Sequence, residues 1–301
     1  MKVIVTGGAG FIGSWVVDSL IEKGHQVTVI DNLSSGNKSN VNHKAKLYEI
    51  DLLGDIDSIF ENEKPEYVFH FAAQINVRKS IEDPKKDAEI NILGTLNLLD
   101  KCVKHRVKKI IFSSSGGAIY GGKEVIPTPE ESETRPESPY GIAKLTIELY
   151  LEFYKKVFGL DYVALRYSNV YGPRQSSKGE AGVVDIFFKS LENGETPVIF
   201  GDGEQTRDYV YVKDVAHCNI LAMNLSGIFN VGTGIETSVN EIFEKIAKVS
   251  NAPMIKRNGA KIEGELLRSA LDCSKLNKIV GWSPKYNLDS GLMETYEFFK
   301  S

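Results

Sequence analysis

The feature that most constrains the fold is the sequence TGGAGFIG at residues 6–13, where a glycine-rich turn separates two apolar patterns. Residues 2–6 form a short apolar run, which predicts a buried strand, and residues 11–23 carry apolar side chains at helical spacing before Gly24. A second apolar run at residues 27–30 ends at Asp31. A strand, a helix and a strand within about thirty residues predict a βαβ unit.

Gly7, Gly10 and Gly13 predict a turn that binds a dinucleotide. Glycines there permit a tight turn, close approach of the backbone to a pyrophosphate and close packing of helix on sheet. The helix that follows offers free N–H groups and the positive end of its dipole. Asp31 is placed to accept hydrogen bonds from an adenosine ribose, and its charge would repel a 2′-phosphate. We therefore predict NAD, rather than NADP, as the cofactor.

Strands and helices alternate along the first half of the chain. Further strands are predicted at 46–50, 67–71, 109–113 and 161–166, and helices at 56–63, 88–104, 139–158, 183–191, 239–249 and 288–299. This alternation predicts an α/β fold, a Rossmann-type doubly wound parallel sheet with helices on both faces. We assign residues 1–166 to an NAD-binding domain. Loops rich in glycine and proline then mark residues 167–301 as mainly a smaller C-terminal substrate-binding region, with some elements returning to the first domain.

Composition excludes several classes of protein. The 301 residues are 42% hydrophobic and 25% charged, with a net charge of −4 and no basic block, which argues against nucleic acid or membrane as a partner. Cys102, Cys218 and Cys273 show no CxxC pairing and no histidine at ligand spacing. We expect reduced thiols, no metal and a cytoplasmic protein.

Tyr140 and Lys144 are the first candidate catalytic pair. They lie four residues apart in a predicted helix, so both side chains share one face. A phenol with a pKa near ~10 is a poor base at neutral pH, but an adjacent ammonium favours the phenolate. A pair with this spacing also occurs on solvated helix faces, so other features of the sequence must decide whether this pair is catalytic.

A run of three serines, Ser113, Ser114 and Ser115, supplies one such feature at the end of a predicted strand. Open α/β sheets bind ligands at the carboxyl ends of their strands. The glycine turn, the serine run and the Tyr140–Lys144 pair, in this order, resemble the extended short-chain dehydrogenase/reductase family over nearly the whole chain.

The resemblance implies roles for individual residues. The catalytic hydroxyl matches Ser115, while an extra glycine before Tyr120 leaves Ser114 as an alternative. Asn91 resembles the asparagine of the helix behind the loops that face the nicotinamide. The implied cofactor-binding residues are Gly7, Gly10, Phe11, Ile12, Gly13, Asp31, Asn32, Ser35, Gly36, Asp51, Leu52, Phe71, Ala72, Ala73, Gln74, Asn91, Ser113, Tyr140, Lys144 and Tyr167.

Gly116 and Gly117 distinguish reactions within the family. Related 4,6-dehydratases carry an Asp-Glu pair at these places, and related decarboxylases carry a Glu. Elimination of water needs an acid and a base, which this loop lacks. The remaining chemistry is oxidation at C4 of a sugar, rotation of the ketone and reduction from the opposite face.

Two later segments resemble nucleoside-diphosphate-sugar 4-epimerases in particular. These are RYSNVYGP at residues 166–173 and GDGEQTRDYV at residues 201–210. The resemblance implies that Arg207 pairs with phosphate, which suits a guanidinium fork. The implied substrate-binding residues are Ser115, Tyr140, Asn169, Val183, Phe200, Arg207, Glu265 and Ser269.

Two positions near the C-terminal end of the site bear on the substrate. Ile262 stands where many relatives have a second arginine, so Lys261 or Arg268 is expected to substitute. Ser269 replaces a bulky tyrosine of relatives restricted to unacetylated sugars, which predicts room for an N-acetyl group.

The favoured interpretation is an NAD-dependent 4-epimerase of UDP-hexoses, acting on UDP-glucose and UDP-galactose. Alternatives are an epimerase of UDP-N-acetylhexosamines or UDP-uronates, and a non-catalytic dinucleotide-binding sensor, which would usually lack Tyr140 and Lys144. By analogy with relatives that pair two helices into a four-helix bundle, we predict a homodimer. The candidate contacts, some of which must pack on the sheet instead, are Ile92, Leu96, Leu99, Val103, Ile142, Leu145, Leu149 and Phe153.

Overall fold

A computed structural model describes residues 1–122, 125–175, 182–262 and 266–300. Within these residues, seven strands form one central sheet and six short strands form three two-stranded sheets. The strands are β1 (Lys2–Thr6), β2 (Gln26–Asp31), β3 (Lys46–Glu49), β4 (Tyr67–His70), β5 (Lys109–Ser115), β6 (Asp161–Tyr167), β7 (Asn169–Tyr171), β8 (Val198–Phe200), β9 (Thr206–Arg207), β10 (Tyr209–Tyr211), β11 (Gly227–Val231), β12 (Thr237–Ser238) and β13 (Arg257–Gly259).

The central sheet has the order β11-β6-β5-β4-β1-β2-β3, and every neighbouring pair is parallel. The predicted Rossmann-type fold is thereby confirmed. The chain runs outward from β1 to β3 and then returns to β4 on the other side of β1. This reversal opens a crevice at the carboxyl ends of β1 and β4, where ligands of such sheets bind.

Helices cover both faces of the central sheet and build much of the second half of the chain. They are α1 (Phe11–Glu22), α2 (Asp57–Glu63), α3 (Val77–Glu82), α4 (Pro84–Ala88), α5 (Gly94–Lys104), α6 (Gly116–Ile119), α7 (Pro139–Phe158), α8 (Val183–Glu192), α9 (Val212–Ala222), α10 (Val239–Val249), α11 (Ser274–Val280) and α12 (Leu288–Lys300). Valine, leucine and isoleucine side chains pack on both faces of the sheet, as expected for a parallel sheet that has helices on both faces.

Two predicted boundaries were wrong near the site. The single helix predicted at residues 88–104 is interrupted by a wide π-helical turn, Glu89–Leu93, between α4 and α5. The strand predicted to end at Ser113 continues to Ser115, because Ser114 pairs with Arg166 and Ser115 with Tyr167 across the sheet. The parallel ladder with β6 keeps the last two serines extended.

The second half of the chain also contributes to the central sheet. The strand β11 pairs with β6 in parallel at its edge, and α9 packs against α1. A separate apolar cluster around Phe187, Ile242 and Phe243 supports the smaller C-terminal region. The domain division at residue 166 stays a prediction.

The glycine turn fits closely against its neighbours. Gly7 has a φ of +68°, and a Cβ there would lie 2.6 Å from the backbone nitrogen of Ala72. A Cβ on Gly13 would lie 2.2 Å from the carbonyl oxygen of Gly7. The turn can therefore approach both β4 and a ligand only because side chains are absent.

Each helix in the described ranges is too short or too polar to cross a membrane bilayer.

We expect Gly13→Ala to lower the free energy of unfolding by about 1–3 kcal/mol, because the new methyl group would overlap the Gly7 carbonyl. Gly10→Ala is the matched control in the same turn. Its Cβ would lie 3.1 Å from the same oxygen, so its loss should stay below about 1 kcal/mol. Urea denaturation of both variants measures the difference, and equal losses would contradict the steric account.

Candidate active site

A cavity of about 1040 Å³ lies at the carboxyl ends of the central strands and continues into the C-terminal region. Its volume is at the upper end of the range for pockets that bind one small molecule. Its walls include nearly all the predicted site residues, namely Gly7, Gly10, Phe11, Ile12, Gly13, Asp31, Asn32, Ser35, Gly36, Asp51, Leu52, Phe71, Ala72, Ala73, Ser113, Ser114, Ser115, Tyr140, Lys144, Tyr167, Asn169, Val183, Phe200, Arg207 and Ser269. Gln74 and Asn91 lie behind this wall, and Glu265 lies outside the described residues.

Asp31 is held in a fixed orientation at the end of β2. Its carboxylate accepts hydrogen bonds from the backbone N–H of Ala9 at 2.9 Å and of Leu33 at 2.8 Å. Asn32 donates to Asp51 at 2.7 Å, which links the segments that follow β2 and β3. The N-cap residue of α1 is Gly10, which gives no side-chain cap, and the first turn of this helix lies at the cavity wall. This end of the cavity therefore combines anion-binding N–H groups with a carboxylate.

The segment after β4 is fixed from behind by Asn91, in the wide turn. Asn91 accepts from the Gln74 backbone N–H at 2.8 Å and donates to the Gln74 carbonyl at 3.0 Å. The Asn91 amide also donates to Asp87 at 3.0 Å, and the Gln74 side chain donates to the same carboxylate oxygen at 2.8 Å. Asn91 thus holds the backbone of Gln74, the residue that directly follows Ala73 of the cavity wall.

His70 links the same segment to the glycine turn. Thr95 donates its hydroxyl proton to the Asn91 carbonyl at 2.6 Å, so it accepts from His70 Nε2 at 2.8 Å. His70 Nδ1 then accepts from Thr6 at 2.7 Å, and the Thr6 oxygen accepts from the Ala72 backbone at 3.3 Å. Burial, aided by the charge of Lys144, lowers the pKa of His70 to about 3, so this chain of hydrogen bonds is neutral.

Tyr140 and Lys144 lie on the first turns of α7, as the spacing predicts. Ser138 caps this helix by accepting from the Gly141 N–H at 3.1 Å. Lys144 donates to the Ser113 carbonyl at 2.7 Å, and its Nζ lies 5.6 Å from the centre of the Tyr140 ring. Burial lowers the pKa of Lys144 to about 8, while Asp87 and Glu148 oppose that change. The ammonium and the phenol therefore share one wall of the cavity.

The hydroxyls of Ser114 and Ser115 lie in different surroundings. Ser114 is buried and donates to Glu148 at 2.6 Å, one helical turn beyond Lys144. Glu148 also receives two hydrogen bonds from Arg166, at 3.0 and 2.6 Å. The Ser114 proton is therefore directed into a buried ion pair. Ser115, the next residue along the strand, is only partly buried and lines the cavity.

A buried polar network supports the floor beneath these serines. Arg166 donates to the Tyr120 hydroxyl at 2.7 Å, which in turn donates to Asn230 at 2.8 Å. Asn230 reaches the Thr128 carbonyl at 2.9 Å. This network joins β5, β6 and β11 to the loop that follows α6, so the catalytic helix and the serine strand are fixed to one rigid base.

The C-terminal region brings Arg207 and Ser269 to the cavity wall, and Ile262 lines it too. The expected substitutes for a second phosphate-binding arginine are placed differently. Arg268 pairs with Glu236 through two hydrogen bonds, one of 2.9 Å, and Lys261 is exposed beside Gly201 and absent from the cavity wall. Neither side chain lines the cavity, because Glu236 holds Arg268 and Lys261 faces solvent, and the substitution of either for the missing arginine stays a prediction.

Tyr167 is a residue of the cavity wall, but its hydroxyl points into the protein interior. It lies 2.9 Å from the Asn219 amide nitrogen and 3.1 Å from the amide oxygen of the same side chain. The polar end of Tyr167 is therefore engaged away from the cavity.

Several residues of the site were missed in the sequence. Asp87 lies four residues before Asn91, and Glu148 lies four after Lys144, so helical spacing from the predicted residues would have identified both. Arg78, Glu137 and Arg174 also line the cavity. Arg174 lies over the Trp15 ring at 4.2 Å and donates to Asp18 at 2.7 Å, contacts between distant segments that no local pattern indicates.

The site combines a dinucleotide-binding turn with the Tyr140–Lys144 pair and the serine strand, an arrangement typical of enzymes that use a bound dinucleotide. The family model described as "NAD dependent epimerase/dehydratase family" matches residues 3–232. The chain belongs to this family, which confirms both the predicted resemblance and NAD as the cofactor.

Three solved structures are closely similar over their whole length. A UDP-glucose 4-epimerase from Thermotoga maritima, with UDP-glucose, has a TM-score of 0.98 at 50% identity, with 100% of this chain and 99% of that chain covered. A UDP-glucose 4-epimerase from Thermus thermophilus, with NAD, has a TM-score of 0.95 at 41% identity and the same coverage. A UDP-N-acetylglucosamine 4-epimerase from Methanobrevibacter ruminantium, with UDP-N-acetylmuramic acid, has a TM-score of 0.94 at 39% identity, with coverage of 99% and 98%.

Proposed function

We propose that the protein is an NAD-dependent 4-epimerase of UDP-hexoses that interconverts UDP-glucose and UDP-galactose. The observation that carries the proposal is the placement of Tyr140, Lys144 and Ser115 in one cavity with the glycine turn. The solved relatives that bind UDP-glucose and NAD share this fold over their full length. Retention of both Tyr140 and Lys144 argues against a non-catalytic sensor.

The residues around the glycine turn fit NAD. Gly7 and Gly13 let the turn pack against Ala72 and against itself, and the first N–H groups of the helix that follows, α1, suit a pyrophosphate. Asp31 would accept from the ribose hydroxyls. When bound, NAD supplies an acceptor and a donor of hydride at C4 of the sugar.

The chain's own residues handle the proton. Tyr140, as the phenolate, takes the proton of the C4 hydroxyl while C4 loses its hydride, and Ser115 holds the hydroxyl oxygen by a hydrogen bond. Lys144 stabilises the phenolate by its charge. After the 4-ketose rotates, Tyr140 returns the proton as hydride returns to the other face. The sugar is neither oxidised nor reduced overall.

Gly116 and Gly117 favour epimerisation over elimination of water. Glu137 lines the cavity beside Gly121, but a dehydratase needs an acid and a base acting together. With glycines after Ser115, the loop leaves the neighbouring carbons of the sugar without that pair.

A second substrate class is favoured by Ser269. This small side chain lies on the cavity wall, and the solved relative that carries UDP-N-acetylmuramic acid is 39% identical. Leu267, which could have refilled the space, is 62% exposed and lies off the wall, whereas Val183 does line it. We therefore include UDP-N-acetylhexosamines as further substrates. UDP-uronates remain an alternative without a specific observation in their favour.

We also propose a homodimer formed through α7 and the neighbouring α5. On α7, Ile142, Leu149 and Phe153 are 52%, 62% and 48% exposed, an apolar stripe that a monomer would leave in water. Leu99 is one of the candidates that pack on the sheet instead, because that side chain is fully buried in the core beneath α5. The three cysteines are free, which supports a cytoplasmic location.

We expect Tyr140→Phe to lower kcat by about 10²–10⁴-fold while NAD still binds, because only the transferable proton is lost. Ser115→Ala should cost about 10²-fold, whereas Ser114→Ala should change kcat little, since its hydroxyl faces Glu148. Conversion of UDP-galactose followed by NMR measures all three. Near wild-type turnover in Tyr140→Phe would refute the mechanism, and a larger loss in Ser114→Ala than in Ser115→Ala would reverse the serine assignment.

Ser269→Tyr should abolish turnover of UDP-N-acetylglucosamine and preserve that of UDP-glucose, because a tyrosine ring would overlap the N-acetyl group. The ratio of kcat/KM for the two sugars, in wild type and variant, measures this. Ser269→Thr is the matched control and should leave the ratio nearly unchanged. An unchanged ratio in the tyrosine variant would mean that Ser269 does not control access.

Leu149→Asp should convert the protein to a monomer by placing a charge in the apolar stripe of α7. Ile279→Asp, at a residue 56% exposed on α11, makes the same change elsewhere and should leave the mass unaltered. Light scattering at micromolar concentration distinguishes the two. A monomeric wild type would overturn the dimer proposal.

A further inference from the structure

Lys144 is a buried cation that needs a compensating charge. Its side chain is 3% exposed, and its ammonium donates to the Ser113 carbonyl, which is a neutral partner. A charge withdrawn from water is stable only when an opposite charge or several hydrogen bonds offset its lost hydration. Two buried acidic side chains are candidates for that role, Glu148 one turn along the same helix and Asp87 on α4, which packs against that helix.

Glu148 is already neutralised by another cation. Both of its carboxylate oxygens accept from Arg166, and one also accepts from Ser114. The Glu148 and Arg166 side chains are 2% and 5% exposed, so they form a closed pair with almost no net charge. The field that this pair exerts on Lys144 is therefore small.

Asp87 has no such partner. It is 2% exposed, and one of its oxygens accepts from the neutral amides of Gln74 and Asn91, at 2.8 and 3.0 Å. Among the described residues, no lysine, arginine or histidine forms a salt bridge with it. The helix that carries it, α4, packs directly against α7, which carries Lys144. Asp87 is thus a buried negative charge that lacks a cation of its own.

We propose that Asp87 is the counter-ion of Lys144, a positioning residue that keeps the ammonium protonated beside Tyr140. This role rests on the proposed epimerase function and deepens it, because the phenolate requires a charged Lys144. Asp87 touches neither substrate nor cofactor in this account. It acts through Lys144.

The wide turn between α4 and α5 explains how Asp87 is held. Asn91 lies within that turn and joins the Asp87 carboxylate to the backbone of Gln74. Since π-helical turns are rare and often occur at functional sites, its position between these two groups is informative. One amide therefore fixes both the cavity wall and the anion behind it.

The other charged groups near Lys144 contribute less. His70, on β4, is neutral, and Tyr140 shares the face of α7. Glu89 pairs with Lys86 in an exposed salt bridge. The adjoining helix α3 carries three more charged side chains, Arg78, Lys79 and Glu82. All three are exposed, so solvent screens their charges.

Removal of the Asp87 charge shifts the pH dependence of activity in one direction. Lys144 has a pKa lowered by burial to about 8, and the charge of Asp87 acts to raise it. Removing that charge lowers the pKa of Lys144 further, so the ammonium loses its proton at a lower pH. The alkaline limb of the pH profile for kcat/KM then moves to lower pH.

The test is to titrate Lys144 in protein labelled with ¹³C at lysine Cε, with the resonance assigned by its loss in Lys144→Met. In Asp87→Asn, which keeps an acceptor for Gln74 and Asn91, the midpoint should fall by about one pH unit. Asp83→Asn removes an exposed charge from the cap of the same helix and should leave the midpoint unchanged.

An unchanged midpoint in Asp87→Asn, or an equal fall in Asp83→Asn, would overturn the proposal. Asp87→Ser, a smaller uncharged variant, should reproduce the fall and covers the case in which Asp87→Asn is poorly folded. Because the titration needs no turnover, it separates this proposal from the epimerase function. A wild type that titrates as expected but fails to epimerise any sugar would refute only the function.

Discussion

The burial of one ammonium group, that of Lys144, is the constraint on which the rest of the site depends. A cation in the interior must be supported on every side, and the surroundings supply a backbone carbonyl from β5, an aromatic ring from Phe112 at 4.8 Å and an anion from α4. The first two supports come from adjacent residues of β5, and the third comes from a different element of the chain. The sheet, the catalytic helix and the wide turn must therefore keep their mutual positions for Lys144 to stay charged.

The same reasoning explains why polar residues occupy so much of the floor. Ser114, Glu148, Arg166 and Tyr120 are all buried and mutually hydrogen-bonded, in a layer where an apolar core would pack as well. Their bonds join α7 to three strands and hold Ser115 at the cavity. The network thus positions the residues of the site and takes no part in the reaction itself, and few of its own polar groups face the cavity.

Features that depend on local spacing could be predicted from the sequence. The glycine turn, the βαβ unit and the shared face of Tyr140 and Lys144 each follow from residues within one or two elements. The orientation of side chains that depends on contacts between separate strands and helices could not be predicted. Ser114 and Ser115 are chemically identical, and only the pairing of β5 with β6 and the approach of Glu148 turn one inward. Likewise, nothing local to Arg268 indicates its partner, because Glu236 is brought beside it from a segment 32 residues away.

The central claim, that C4 is inverted by removal and return of the same hydride, is tested most directly with UDP-glucose deuterated at C4. The purified protein is incubated with this substrate in ordinary water, and the product is examined by NMR. The account predicts UDP-galactose that retains deuterium at C4, because Tyr140 exchanges only the hydroxyl proton. Loss of the C4 deuterium to solvent, or no inversion at all, would contradict it.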